Sequence, residues 1–194
     1  MDRRKFLTFL TGVMSGIAAT VASIPFIRSM SMTDDKVPPD HGRIIEFPKL
    51  EPGQMIAVSV ANKPLYITRR TEEQIANLGN DNPFLGDPGS IDSVQPKFAQ
   101  NVYRSVTPEI FVAWGICTHL GCAVTHYSGR NEDIRDNPDQ RLFSGEGGFY
   151  CPCHSSKFDF AGRVYSGNPA PTNLEVPNYE IVDENSIRYL SNAL

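Results

Sequence analysis

Two short strings contain most of the metal-binding residue types in this sequence. The first reads CTHLGC over residues 117–122, and the second reads CPCHSS over residues 151–156. All four cysteines and two of the four histidines of the chain fall in these strings. Thiolate and imidazole are the ligands of zinc ions and of small iron-sulfur clusters. The pattern therefore indicates a metal centre built from two loops.

The strings contain more ligands than one centre needs. Four thiols and two imidazoles exceed the four protein ligands that a zinc ion or a small cluster takes, so two groups need another role. A disulfide between one cysteine of each string would join the loops and leave one cysteine and one histidine from each to hold the metal. Such a bond persists in an oxidising compartment. Which cysteines pair stays open at this point.

Two other uses of these groups are weaker. Structural zinc sites usually have C-x₂-C or H-x₃₋₅-H spacings, which differ from the C-x-H-x₂-C and C-x-C-H spacings present here. Two plain disulfides would leave the histidines beside the cysteines unexplained. His41 and His126 have no partner at ligand spacing, so we expect ordinary surface histidines there.

The composition describes the domain that must position the two loops. A length of 194 residues allows one domain of ordinary size. Hydrophobic residues make up 40%, and 15 glycines and 15 prolines are present, which excludes a disordered chain and a coiled coil. Residues beyond 28 have a formal charge of −7, so nucleic acid is excluded as a partner.

Short runs of strand-forming residues separated by turn residues predict an all-β, antiparallel domain. The predicted strands cover residues 43–47, 54–60, 65–68, 102–105, 110–116, 148–151, 179–182 and 186–190. One short helix is expected over residues 72–78, because Thr71 and Gln74 have capping-box spacing and Gly79 can end the helix. We expect residues 79–100 to form a loop.

The N-terminus predicts a membrane anchor. Residues 6–27 contain no charge, and 22 helical residues span about 33 Å, enough to cross a bilayer core. A cleaved secretory signal is the alternative, since Ala22 and Ser23 lie in a small-residue stretch. The basic residues 3–5 place the N-terminus in the cytoplasm, and the pair Arg3 and Arg4 resembles a twin-arginine export signal.

These observations predict four segments. Residues 1–5 form a cytoplasmic N-terminus, residues 6–27 a transmembrane anchor, residues 28–42 a linker or hinge, and residues 43–194 the head domain. Residues 128–148, rich in Asp, Asn, Gly and Arg, are expected to be an irregular surface insertion.

The pair CTHLGC and CPCH resembles the Rieske iron-sulfur proteins. Residues 1–190 look like the bacterial Rieske subunit of the cytochrome bc complexes, including YRSVTPE at 103–109 and GRVYSGNPAPTNLEVPNY at 162–179. The resemblance implies an antiparallel β-sandwich head with cluster-binding loops, on a single N-terminal transmembrane helix. It also implies one Rieske [2Fe-2S] cluster, in which two histidines replace two cysteines on one iron.

Carried onto this sequence, the resemblance assigns every ligand. Cys117 and Cys151 bind one iron, and His119 and His154 bind the other. Cys122 and Cys153 form the disulfide, as in the family.

The resemblance also implies the function of a quinol-cytochrome c oxidoreductase subunit. The chain takes an electron from quinol, with a proton through His154, passes the electron to a cytochrome c haem, and contributes to proton translocation. Its partners are cytochrome b and a membrane-anchored cytochrome c1 in a dimeric complex of the bacterial inner membrane, with the head in the periplasm. Leu120 and Gly121, at the tip of the first loop, belong to the surface that docks on cytochrome b.

Several neighbours of the cluster follow from the same resemblance. Ser156 donates a hydrogen bond to a bridging sulfide, and Pro169 belongs to a third loop, residues 167–171, that covers the cluster. Phe158 stands where many members have Tyr, whose hydroxyl bonds to a cluster cysteine. Ser155 stands where the family usually has Gly.

Other functional classes use related motifs. Oxygenase-type Rieske carriers resemble C-x-H and C-x₂-H boxes without an extra cysteine pair, so Cys122 and Cys153 argue against them. The Rieske subunit of another periplasmic oxidase, similar to arsenite oxidase, and that of a b6f-type complex remain as alternatives. A membrane-tethered zinc or disulfide module is the alternative outside electron transfer.

Overall fold

The chain consists of two compact units, Met1–Val37 and Pro38–Leu194. The computed structural model describes residues 2–30, 40–79, 82–128 and 147–191. Most of the predicted linker, residues 31–39, and most of the predicted insertion, residues 129–146, lie outside the described residues.

The first unit contains one long helix, α1 (Arg3–Met30). The stretch Arg3–Ile27 is long and apolar enough to cross a membrane. Its large apolar side chains, such as Phe9, are exposed within the unit, which suits a helix surrounded by lipid. The predicted anchor, residues 6–27, lies within α1.

The described residues of the second unit form three antiparallel sheets of three strands each, which confirms the predicted all-β class. The first sheet has the order β1-β9-β8 and consists of β1 (Ile44–Glu46), β8 (Asn178–Asp183) and β9 (Ser186–Leu190). The second has the order β2-β3-β4 and consists of β2 (Met55–Val60), β3 (Lys63–Arg69) and β4 (Ile110–Trp114). The third has the order β5-β6-β7 and consists of β5 (Thr125–Tyr127), β6 (Gly148–Tyr150) and β7 (Lys157–Phe158).

One hydrophobic core joins the three sheets. It includes Ile187 from the first sheet, Leu65 and Phe111 from the second, and Phe149 and Phe158 from the third, all nearly inaccessible to solvent. The ring centroids of Phe111 and Phe149 lie 5.9 Å apart. Burial of these side chains holds the third sheet, which flanks the second predicted metal loop, against the rest of the domain.

The predicted short helix is confirmed as α2 (Glu72–Leu78). The Thr71 hydroxyl accepts from the Gln74 amide at 3.1 Å, and the Gln74 side chain accepts from the Thr71 amide at 2.9 Å. This is the reciprocal capping box that the spacing predicted. Gly79 is the C-cap, as expected.

Strand prediction failed where local turn chemistry dominates. Residues 102–105, predicted as a strand, form turns, because Arg104 has φ +51° and the Asn101 side chain bonds to the Ser105 carbonyl. Asparagine side chains commonly stabilise such turns against extended backbone. The short strands β5 and β7 were not predicted, since three and two residues are too few for a periodic pattern.

Candidate metal centre

The first loop, residues 117–122, follows β4 and forms a tight backbone turn. The Cys117 amide donates to the Cys122 carbonyl at 2.8 Å, and the Gly121 amide donates to the Cys117 carbonyl at 3.0 Å. Gly121 has φ +80°, a conformation that glycine adopts without steric cost. A bridge between Ile116 and Ala123 closes the base of the loop.

The second loop, residues 151–156, connects β6 to β7 and repeats this design. The Cys151 amide donates to the Ser156 carbonyl at 2.8 Å, and the Ser155 amide donates to the Cys151 carbonyl at 2.9 Å. Each loop thus begins with a buried cysteine and folds its next four residues into one turn. The repeated turn was not apparent from the two strings, whose histidines stand at different offsets.

A disulfide joins the two loops. It links Cys122 to Cys153, whose Cα atoms are 6.6 Å apart and whose sequence separation is 31 residues. Cys117 and Cys151 are left as buried free thiols. The structure therefore selects the cysteine pairing that the residues alone had left open.

The two free thiols lie beside each other. Burial raises the pKa of the Cys117 thiol, and a hydrogen bond with the Cys151 side chain raises it further. The His119 backbone amide and the Ser156 hydroxyl donate to the same sulfur and oppose this rise. A thiol in such surroundings loses its proton readily only when a bound cation stabilises the thiolate.

The histidines of the two loops also meet. The rings of His119 and His154 have centroids 4.8 Å apart at an interplanar angle of 85°. Nδ1 of His119 is buried and has no hydrogen-bond partner among the described parts of the chain. A buried nitrogen without a partner is unfavourable in a finished site and is what an absent metal ligand bond would satisfy.

Three cysteine sulfurs lie close together at the junction of the two loops, but they cannot bind a metal as three thiolates. The Sγ atoms of Cys122, Cys151 and Cys153 lie within 4.8 Å of one another. Because Cys122 and Cys153 are joined to each other, only Cys151 of this trio has a free thiol. The disulfide is therefore packed against one of the candidate ligands.

The predicted third loop, residues 167–171, and Thr172 directly after it form hydrogen bonds with both metal loops. The Ser156 hydroxyl accepts from the Ala170 amide at 3.0 Å, and the Thr118 hydroxyl donates to the Thr172 carbonyl at 2.7 Å. Ser156 is fully buried, whereas Pro169 is exposed. One short side chain from each metal loop thus holds the segment at residues 170–172 in place.

The remaining predicted residues separate into a buried and an exposed group. Phe158 is fully buried in the core cluster that also contains Cys117 and Cys151. Leu120 is 71% exposed at the tip of the first loop, and Gly121 beside it is exposed as well. Exposure leaves Leu120 accessible to a partner, and its role in a docking surface stays a prediction.

The other two histidines make ordinary structural contacts. His41 is exposed, as expected, and its Nδ1 accepts from the Ser191 amide at 3.0 Å. His126 differs from the prediction of a surface histidine, because it is half-buried with its ring 5.4 Å from that of Phe149. Packing on an aromatic core accounts for this histidine.

A buried arginine network holds the turn that follows β7 and was missed by sequence reasoning. Asp159, directly after β7, accepts from the Arg163 guanidinium at 2.7 Å and from the Arg163 amide at 2.8 Å. Arg70 donates to the Phe160 carbonyl at 2.9 Å, and Arg104 donates to the Ala161 carbonyl at 3.0 Å. Three buried guanidinium groups thus hold the turn at residues 159–163.

Burial lowers the pKa of Arg70 to about 9 and that of Arg104 to about 10. Asp159 acts in the opposite direction and raises the pKa of both groups. Both guanidinium groups therefore stay charged at neutral pH, and the Asp159 carboxylate opposes their mutual repulsion. The spacing of D-x₃-R at 159–163 was the sequence signal that could have indicated this turn.

Comparison with known proteins identifies the site. A family model described as the Rieske [2Fe-2S] domain matches residues 86–180, which include both metal loops. The chain is 38% identical over 185 residues to the ubiquinol-cytochrome c reductase iron-sulfur subunit of Allochromatium vinosum, covering 95% of this chain and 86% of that protein. The chain belongs to the Rieske iron-sulfur subunit family.

Two further relatives of this Rieske chain agree. The ubiquinol-cytochrome c reductase iron-sulfur subunit of Cereibacter sphaeroides is 32% identical over 191 residues, covering 96% of this chain and 94% of that protein. The cytochrome b-c1 complex subunit Rieske-3, mitochondrial, of Nicotiana tabacum is 37% identical over 189 residues, covering 96% of this chain and 61% of that protein. The family resemblance of the two strings is therefore confirmed.

The cofactor of a Rieske domain is one [2Fe-2S] cluster, and the side chains present fit it. Two adjacent buried thiols and two adjacent imidazoles supply two sulfur and two nitrogen donors, the set that such a centre takes. The partnerless Nδ1 of His119 agrees with this donor set.

The disulfide provides a first prediction for the Rieske head. Replacing Cys122 or Cys153 with alanine should lower the free energy of unfolding by about 2 to 4 kcal/mol, because the bond closes a long loop in the unfolded chain. Denaturant titration of the detergent-solubilised chain measures this loss. Reductant should destabilise the wild type by the same amount and leave both variants unchanged. Mass mapping that finds both thiols free in the oxidised protein would exclude the disulfide.

Proposed function

We propose that this chain is the Rieske subunit of a respiratory quinol-cytochrome c oxidoreductase and carries single electrons from quinol to a cytochrome c haem. The observation that carries the proposal is the pair of disulfide-linked loops with two thiols and two imidazoles, in a chain 38% identical to such a subunit over 95% of its length. The chain contributes to proton translocation as one subunit of an enzyme, without containing a complete active site.

The proposed cluster ligands are Cys117 and Cys151 on one iron and His119 and His154 on the other. When bound, the cluster supplies one-electron redox chemistry, at a potential raised by replacing two anionic thiolates with neutral imidazoles. The two cysteines are buried and His154 is exposed, which fixes how the four ligands face relative to the domain surface. The sulfur side faces the domain core, and the imidazole side lies nearer to solvent.

His154 is the proposed quinol contact and the catalytic residue. Its side chain is exposed, whereas that of His119 is half-buried with one buried ring nitrogen. An exposed imidazole nitrogen can accept a hydrogen bond from a quinol hydroxyl and then hold its proton. His154 therefore takes the proton at the surface of the domain, where water can later remove it.

The exposed tip of the first loop is the proposed docking surface for cytochrome b. Leu120 offers an apolar side chain next to His119, and burial of this side chain on a partner would stabilise the contact by about 1.5 to 3 kcal/mol. Docking would also exclude water from the exposed imidazole. The other proposed partner is the membrane-anchored cytochrome c1, which accepts the electron in the dimeric complex.

The proposed location is the bacterial inner membrane, with α1 as its single span and the head in the periplasm. The basic residues 3–5 support a cytoplasmic N-terminus, and the disulfide supports an oxidising compartment for the head. Arg3 and Arg4 support export of the folded head by the twin-arginine route. Protease added to intact spheroplasts should digest the head, and full protection would contradict this orientation.

Copurification and electron paramagnetic resonance test the function. The tagged chain, extracted from native membranes with mild detergent, should copurify with b-type and c-type haem and show a reduced Rieske signal. Quinol should reduce the cluster, and added cytochrome c should reoxidise it. A Rieske signal without either haem would contradict the proposal and favour a separate periplasmic oxidase.

Phe158 provides a second prediction. Its ring is fully buried and has no hydroxyl to donate to a cluster sulfur. A donor to sulfur stabilises the reduced cluster, so Phe158→Tyr should raise the midpoint potential by about 20 to 65 mV, for a hydrogen bond of about 0.5 to 1.5 kcal/mol. Redox titration measures the shift, and Phe149→Tyr is the matched control on the neighbouring strand. No rise in the first variant would mean that this ring does not face a ligand sulfur.

A further inference from the structure

Ser155, directly after His154, has a backbone conformation that is unusual for its residue type. Its φ is +62°, in the left-handed region where a Cβ atom crowds the following carbonyl. The conformation is required by the turn of the second loop, because the Ser155 amide donates to the Cys151 carbonyl at 2.9 Å. The turn between these two residues contains His154.

The first loop has a glycine at the equivalent position of its turn. Gly121, four residues after Cys117, has φ +80° and makes the equivalent hydrogen bond to the Cys117 carbonyl at 3.0 Å. Glycine adopts this conformation without a penalty, whereas serine does not. The backbone of Ser155 therefore has a steric cost that the backbone of Gly121 does not have.

Tyr150 contacts the side chain of Ser155. Its hydroxyl lies 2.9 Å from the Ser155 hydroxyl and donates to it. Tyr150 is 4% exposed at the end of β6, where it pairs with Thr125 of β5 and Lys157 of β7. The bond thus ties the residue before Cys151 to the residue after His154, across the whole turn.

We infer that the hydrogen bond between Tyr150 and Ser155 is a latch that positions His154. This inference rests on the proposed function, in which His154 binds iron and quinol. Tyr150 and Ser155 are positioning residues, since they act through the turn and not on the substrate. The buried tyrosine transmits the rigidity of the third sheet to an exposed loop that has to keep its shape during docking.

The latch has consequences for the disulfide as well, because Cys153 lies within the same turn. When the turn opens, the sulfur of Cys153 becomes more accessible to a thiol reductant. Loss of the latch should therefore raise both the rate of disulfide reduction and the hydrogen-exchange rate of the amides at residues 153–155. Neither rate requires the cluster.

A double-mutant cycle in the full chain tests the latch. Tyr150→Phe and Ser155→Ala should each raise both rates by about two- to tenfold, the value of one hydrogen bond. The double variant should show no further increase, because both changes remove the same bond. Ser155→Gly should open more slowly than Ser155→Ala, since glycine removes the penalty of the left-handed conformation together with the hydroxyl.

Tyr189→Phe, a buried tyrosine on β9 in another sheet, is the matched control and should keep wild-type rates. Positioning of His154 has its own readout. In Tyr150→Phe the paramagnetic resonance line shape of the reduced cluster should change, while the global unfolding midpoint should stay the same. Wild-type rates in both single variants, or additive effects in the double variant, would overturn the latch. A wild-type chain that lacks a Rieske signal would overturn the proposed function and the role of the latch at His154, while the two opening rates would still report on the hydrogen bond.

Discussion

Replacing His154 with alanine should abolish the Rieske signal completely while the chain remains in the membrane. The reason is that His154 is one of four proposed ligands, and its loss opens one iron to water. The buried thiols, the disulfide and the core do not involve this exposed side chain, so the domain should still fold. Resonance spectra of isolated membranes, with immunodetection of the chain, measure both outcomes.

His41→Ala is the matched control for this experiment. His41 is also exposed, but its contact is with Ser191 near the end of the domain. This variant should keep the full signal. A normal Rieske signal in His154→Ala would refute the ligand assignment, and loss of the signal in both variants would point to a general folding defect.

Asp159→Asn should lower the free energy of unfolding by about 3 to 5 kcal/mol, the usual cost of removing one partner from a buried ion pair. Asparagine keeps the shape of the aspartate side chain and one carbonyl acceptor. The loss in unfolding free energy therefore reports mainly on the missing negative charge. Without the carboxylate, the guanidinium groups of Arg70, Arg104 and Arg163 would repel one another in a buried site. Denaturant titration in detergent measures the loss.

Glu180→Gln is the control for Asp159→Asn. Glu180 pairs with Arg188 at 3.1 Å on the surface, where both side chains are largely exposed. Removing this carboxylate should cost less than about 1 kcal/mol, because water already screens the pair. Equal losses in the two variants would contradict the importance of the buried network.

Features that depend on neighbouring residues in the chain were predictable from sequence. The α2 helix was located to the residue, since a capping box is made by residues three apart and needs no tertiary contact. The apolar stretch of α1 and the all-β class of the head followed from composition and periodicity for the same reason. The two metal strings identified the family because their residue types and spacing are themselves the chemistry of the site.

Strand positions were less predictable. Residues 102–105 contain strand-forming types, but the Asn101 side chain and the left-handed backbone of Arg104 turn the chain there. β7 has only two residues and exists because β6 offers it a partner. Strand pairing is a long-range property, so a short pattern carries little information about it.

The tertiary structure decided the contacts between distant residues. Any cysteine of one string can pair with either cysteine of the other on residue type alone, and only the packing of the loops brings Cys122 to Cys153. The network around Asp159 joins residues up to about 90 positions apart in sequence, and the bond from Tyr150 to Ser155 depends on the exact course of one turn. The sequence therefore determined which atoms can bind the cluster, whereas the fold determined which of them meet, because a contact energy depends on distance in space and a motif records only distance along the chain.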